Sequence, residues 1–165
     1  MNAATFVIWR LLHIVAGAAW FGSALTVLLF VIPVALRNGI EGSRLIQRLV
    51  NAGLVRWLAS LAGVTVVAGF ALYARDSRLG GAGWSGTRTG MALGIGGALG
   101  FVAALIGAAY VGRAAKQLAN LGDRIESAEA APAKLLAERQ LVSGGRITAL
   151  LLTLATIAMA VARYL

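Results

Sequence analysis

Long apolar runs alternate along this chain with short stretches that hold nearly all of its charge. The first run extends from about Phe6 to Leu36 and is interrupted only by Arg10 and His13. Leu11 to Leu36 alone measures about 39 Å at ~1.5 Å per residue, enough to cross a ~30 Å hydrocarbon core with tilt. Pro33 falls in its last turn, where a kink or fraying is tolerated. A second run covers about Leu54 to Ala74, with Arg56 and Trp57 at its mouth. A third, about Gly90 to Val111, carries no charge, and a fourth covers about Ile147 to Ala162. Arg146 and Arg163 bracket the fourth, and Tyr164 beside it suits an interfacial anchor. These lengths predict four spanning helices in one transmembrane domain over residues 1–165, an all-α integral membrane four-helix bundle.

The connecting segments predict its orientation. Loop one, from Arg37 to about Gly53, carries Arg37, Arg44 and Arg48, and loop three, from Gly112 to Gly145, carries Arg113, Lys116, Arg124, Lys134 and Arg139. Loop two, from Arg75 to Thr89, has Arg75, Arg78 and Arg88, and the first nine residues have no Lys or Arg. The positive-inside rule then puts loops one and three in the cytoplasm and both termini on the outer side. The expected setting is the inner (cytoplasmic) membrane of a bacterium. Loop three is too long for a turn. Its Ala, Leu, Glu, Arg and Lys content predicts a cytoplasmic helical hairpin over about 113–143, with Pro132 starting its second arm. Loop two is glycine-rich and reads as a flexible outer loop with Trp84 at the interface. Because Met1 to Trp9 is uncharged and the first run is longer than a signal h-region, the first helix is expected to be retained.

Composition agrees with the pattern. Hydrophobic residues make up 59% and charged residues 13%, against roughly 25% charged in soluble domains. The net charge of +9 lies mostly in arginines beside apolar runs, which suits lipid headgroups and topology rather than nucleic acid. The chain has no cysteine, which excludes disulfides, thiolate metal sites, iron–sulfur clusters and cysteine nucleophiles. No Asp, Glu or Lys falls inside a predicted span, so carboxylate relays and charged pores have no residues to build on. Hydrolysis is equally poorly served, and the chain is expected not to be an enzyme.

Two features remain. The third span, GMALGIGGALGFVAALIGAAYVG, sets Gly90 with Gly94 and Gly96 with Gly100 at small-xxx-small spacing, which suits close helix approach. Its partner is a helix of the same chain, another subunit, a second copy in a homo-oligomer, or a flat pigment. The second feature is His13, the chain's one histidine. In WRLLHIVAGAAWFG, helical spacing puts Trp9, Arg10, Gly17 and Trp20 on its face. The imidazole could ligate haem iron or chlorophyll magnesium, with Gly17 leaving room for a macrocycle edge, Arg10 pairing a propionate and Trp20 stacking. The same residues also suit a plainer arrangement, in which His13 hydrogen-bonds a neighbouring helix and Arg10 and Trp9 anchor the interface.

The string LLHIVAGAAWFGSALTVLLFVIP resembles the first helix of the urate oxidase N-terminal membrane domain and of the related copper-resistance-D-type and protoporphyrinogen-oxidase-J-type membrane proteins. The resemblance is carried by His13, Ala16-Gly17 and Trp20-Phe21-Gly22, over about 25 residues. It implies a helical membrane protein, in some cases associated with haem or electron transfer. Arg56 to Gly63 weakly echoes Arg10 to Gly17, with Ala59 where a histidine would fall. A bis-histidine haem within one chain is therefore excluded. Met1, Met91 and Met159 are scattered, so copper transport lacks a Met/His cluster. The leading expectation is a non-catalytic accessory subunit packed against a larger electron-transfer or photosynthetic complex. The alternative is a redox protein binding haem b or (bacterio)chlorophyll through His13, and a solute or metal permease ranks last.

Overall fold

The computed structural model describes residues 2–165, the side chains of Asp123 and Glu126 excepted. Five helices make up the fold: α1 Ala3–Arg37, α2 Gly39–Asn51, α3 Leu54–Gly80, α4 Arg88–Leu121 and α5 Ala131–Tyr164. Four of them, α1, α3, α4 and α5, are long and apolar enough to cross a membrane. The chain is a multi-pass membrane protein built as a four-helix bundle. Its two tightest pairs are α1 with α3 and α4 with α5.

Local chemistry sets the ends. Asn2 Oδ1 accepts from Thr5 N–H at 2.8 Å and caps α1, and Thr87 Oγ1 accepts from Gly90 N–H at 3.1 Å and caps α4. Pro33 does not fray α1. The helix instead widens to a π turn over Val27–Val31, just ahead of the ring that clashes with the carbonyl four residues back. It then continues to Arg37, where Asn38 Nδ2 donates to Val34 O at 2.7 Å. A second π turn spans Gly107–Val111 of α4.

Loop one is a helix. Gly39–Asn51 forms α2, which buries Gly42 and Ile46 and leaves a Glu41–Arg44 ion pair of 2.9 Å on its outer face. Gly42 is required there, because a Cβ would stand 1.7 Å from Ala35 O. Gly53, at φ +90°, makes the turn into α3. In the segment read as a hairpin, Gly112–Leu121 ends α4, a 3-10 turn follows over Gly122–Glu126, and α5 begins at Ala131. Trp84 does not project freely. Its ring meets Tyr73 edge-on at 5.2 Å and fills the space over Gly80.

The bundle has two cores. At the α2 end, Ile32, Ile46, Leu118, Ile125 and Leu141 close over Ala35, Ala114 and Ala137. Midway, Trp20, Ala24, Ala62, Ala103 and Leu152 form the second core. Lipid removes the hydrophobic term here, so close packing of small residues holds the helices.

Candidate functional site

At the end of the bundle that carries the termini, the helices separate around a cavity of about 820 Å³. That lies within the 300–1,000 Å³ typical of cofactor pockets. All four spanning helices line it. Phe6, Arg10, His13 and Trp20 come from α1, Gly69, Phe70 and Tyr73 from α3, Gly94, Gly97 and Gly100 from α4, and Met159 and Arg163 from α5.

His13 is fixed by α3. Its Nδ1 lies 2.8 Å from Thr65 O, and a carbonyl only accepts, so Nδ1 carries the proton. In the neutral tautomer the lone pair then falls on Nε2, which makes no hydrogen bond among the described residues. Thr65 Oγ1 donates to Leu61 O at 2.7 Å and so does not compete for the imidazole. The ring lies against Gly69, where a Cβ would come within 2.9 Å of Cε1 and 3.2 Å of Nδ1. A backbone carbonyl that fixes the tautomer while the other nitrogen stays open is the usual outer-shell support of a metal-ligating histidine.

Three glycines open the α4 wall between Leu93 and Phe101. A Cβ at Gly97 or Gly100 would meet no atom within 4 Å, and one at Gly94 would meet Tyr73 Oη at 3.1 Å. Across the bundle, Phe70 and Phe101 meet edge-on at 6.1 Å. Towards the termini the lining becomes charged. Arg10, Arg163 and Asp76 line the mouth, Arg75 Nη1 bonds Asp76 Oδ1 at 2.8 Å, and the Arg75 guanidinium stacks 4.0 Å over Phe6. Arg10 and Arg163 make no ion pair among the described residues. Three cations facing one carboxylate favour an anionic group at this end.

Of the residues read from the sequence, His13, Arg10 and Trp20 line the cavity and Gly17 does not. A Cβ at Gly17 would touch Thr65 Cγ2 at 3.3 Å, so this glycine serves the α1–α3 contact and Gly69 provides the room beside the imidazole. Trp20 is 6% exposed. It stands between the large cavity and a smaller one of about 90 Å³ towards the α2 end. The smaller cavity touches Thr148, whose buried hydroxyl has no partner among the described residues.

The glycines of the third span divide. Gly96 meets α5, where a Cβ would lie 2.9 Å from Met159 Cγ and 3.1 Å from Ala155 O. Gly90 lies under the Trp84 carbonyl, and Gly94 and Gly100 face the cavity. Gly69, Tyr73, Asp76 and Met159 were not singled out from the sequence as site residues. The available signal was a mid-span glycine in α3 followed by aromatics at Phe70 and Tyr73.

No group of three or more His, Cys, Asp or Glu that could hold a bare metal ion occurs among the described residues. A prosthetic group that needs one protein ligand fits the donors present. No protein-family model, curated protein or solved structure matches the chain.

Proposed function

We propose that the chain is a haem-binding membrane protein of a bacterial cytoplasmic membrane, with His13 as an axial ligand and a role in electron transfer. One observation supports this above the others: His13 is held through Nδ1 by Thr65 O at 2.8 Å, and the residue lines a cavity of about 820 Å³. The glycine wall of α4 accepts a planar ring, and Arg10 and Arg163 suit the two propionates. Haem bound here supplies one-electron redox chemistry. The protein's own part is to orient the imidazole, pair the anionic edge and exclude water with Phe70, Phe101 and Leu93.

The accessory-subunit reading leaned on the glycines of the third span as a surface for another subunit. Of those glycines, Gly96 packs on α5 and Gly90 lies under the Trp84 carbonyl, while Gly94 and Gly100 line the cavity; the reading also rested on the hairpin, and it stands as the alternative.

The test is a visible spectrum of protein purified in mild detergent, before and after addition of haemin. A Soret band is expected, and His13→Ala should lose it while retaining helical content and a single elution peak. Acid–acetone extraction separates haem from a magnesium pigment. A colourless protein that takes up no haemin sinks the proposal.

A further inference from the structure

We infer that the smaller cavity, between Trp20 and Thr148, is a dry binding site for an apolar gas of the size of dioxygen. This cavity is distinct from the one assigned to haem, so the two sites stand or fall separately.

Its space comes from the two widened turns. A π turn carries one residue more than the α-helical turns around it and bulges from the helix. Val27 and Leu28 of one such turn, and Gly107 and Val111 of the other, line the cavity. Gly107 brings no side chain to fill the gap, and a Cβ there would come no nearer than 3.8 Å to Thr148 Cγ2. The volume is about 90 Å³. That equals about three waters at ~30 Å³ each, and it falls short of the ~150 Å³ of a cavity that takes benzene.

Water is poorly served there. An internal water needs about 2–4 polar partners. Thr148 and the indole of Trp20 supply the polar side-chain atoms of the lining, and its other side chains are apolar. The two stand about a turn apart. Trp20 shares its core with Ala103 and Leu152, each about 6 Å nearer the mouth than Gly107 and Thr148 at ~1.5 Å per residue. The widened turns hold their own first carbonyls, since Val27 O accepts from Ile32 N–H and Gly107 O from Gly112 N–H.

An apolar guest needs no such partners. It gains the dispersion contacts that an empty cavity forfeits, and it arrives through hydrocarbon, in which apolar gases dissolve better than in water. No residue of the lining is exposed. Trp20 lines both cavities, which makes its indole the partition between the guest and the larger one.

The experiment uses xenon as the probe, on crystals of the protein as purified, with and without pressurisation. Wild type should show an anomalous xenon peak between Trp20 and Thr148, and no ordered water there before pressurisation. Thr148→Val, which keeps the shape and removes the hydroxyl, should keep the peak. Gly107→Val and Thr148→Leu each add carbon to the space and should lose it, and the use of two fillers guards against one that fails to fold. An ordered water on Thr148 Oγ1, a lipid or detergent chain in the cavity, or xenon absent from wild type overturns the inference. So does a peak lost in Thr148→Val or kept in both fillers. None of these outcomes bears on His13, whose haem is read from the visible spectrum.

Discussion

At Gly69 the absence of a side chain gives His13 its place. A Cβ there would stand 2.9 Å from Cε1, so Gly69→Val must push the ring off Thr65 O or bend α3. Overpacking of this kind costs about 1–3 kcal/mol, which is on the order of 5- to 150-fold in affinity. Haem retention on a desalting column is therefore expected to fall by that order in Gly69→Val, while Gly17→Ala, at 3.3 Å from a Thr65 methyl, should change it much less. Equal losses in the two would detach the site from Gly69. Thr148 offers the reverse case. Its buried hydroxyl lacks a partner among the described residues, an arrangement that costs about 1–3 kcal/mol. Thr148→Val keeps the shape and removes the polar atom, so the melting midpoint should rise. A fall would reveal a bonding partner for that hydroxyl. Single residues also show what sequence can carry. His13, Arg10 and Trp20 share one helix, so helical period alone groups them. Gly69 and Met159 reach the same cavity from other helices, and their register depends on packing that no local pattern encodes.

Among the elements, α5 depends on two adjacent glycines. Gly144 faces Tyr110 and Val111 in one π turn, and Gly145 faces Leu28 in the other, with closest approaches of 3.3 Å and 3.1 Å for an added Cβ. Both widened turns thus converge on one bare stretch of α5. Gly145→Val should separate α1 from α5 and destabilise the bundle by about 1–3 kcal/mol, read as a lower melting midpoint in detergent. Gly22→Ala, with no atom within 4 Å of its added Cβ, is the control and should leave the midpoint in place. The four spans were legible because hydropathy over about 20 residues needs no partner to interpret it. The helix α2 was read as a loop because Gly39 and Gly42 lower its propensity and Arg44 and Arg48 read as loop charge. Its buried face, Gly42 and Ile46, acquires meaning only against Ala35 and Leu118. A kink or fraying at Pro33 was read as tolerable, and the helix instead widens just ahead of it.

Across the whole molecule, charge and cavity have opposite polarity. The α2 end carries Arg37, Arg44, Arg48, Arg56, Arg113, Lys116, Arg124, Lys134, Arg139 and Arg146, ten of the fifteen basic residues. The other five, Arg10, Arg75, Arg78, Arg88 and Arg163, surround or adjoin the mouth of the cavity. On the positive-inside rule this bias predicts the α2 end in the cytoplasm and the mouth outward. The chain has no cysteine, so single-cysteine labelling has no background. Ser85→Cys, in the exposed turn between α3 and α4, and Ser127→Cys, in the exposed turn before α5, lie at opposite ends. In intact cells a membrane-impermeant maleimide should label Ser85→Cys at once and Ser127→Cys only after lysis. The reverse pattern would place the mouth, and any electron exchange through it, on the cytoplasmic side. The cavity and its ligands would stand unchanged, while the basic residues around the mouth would have to be read as serving the anionic ligand rather than the orientation.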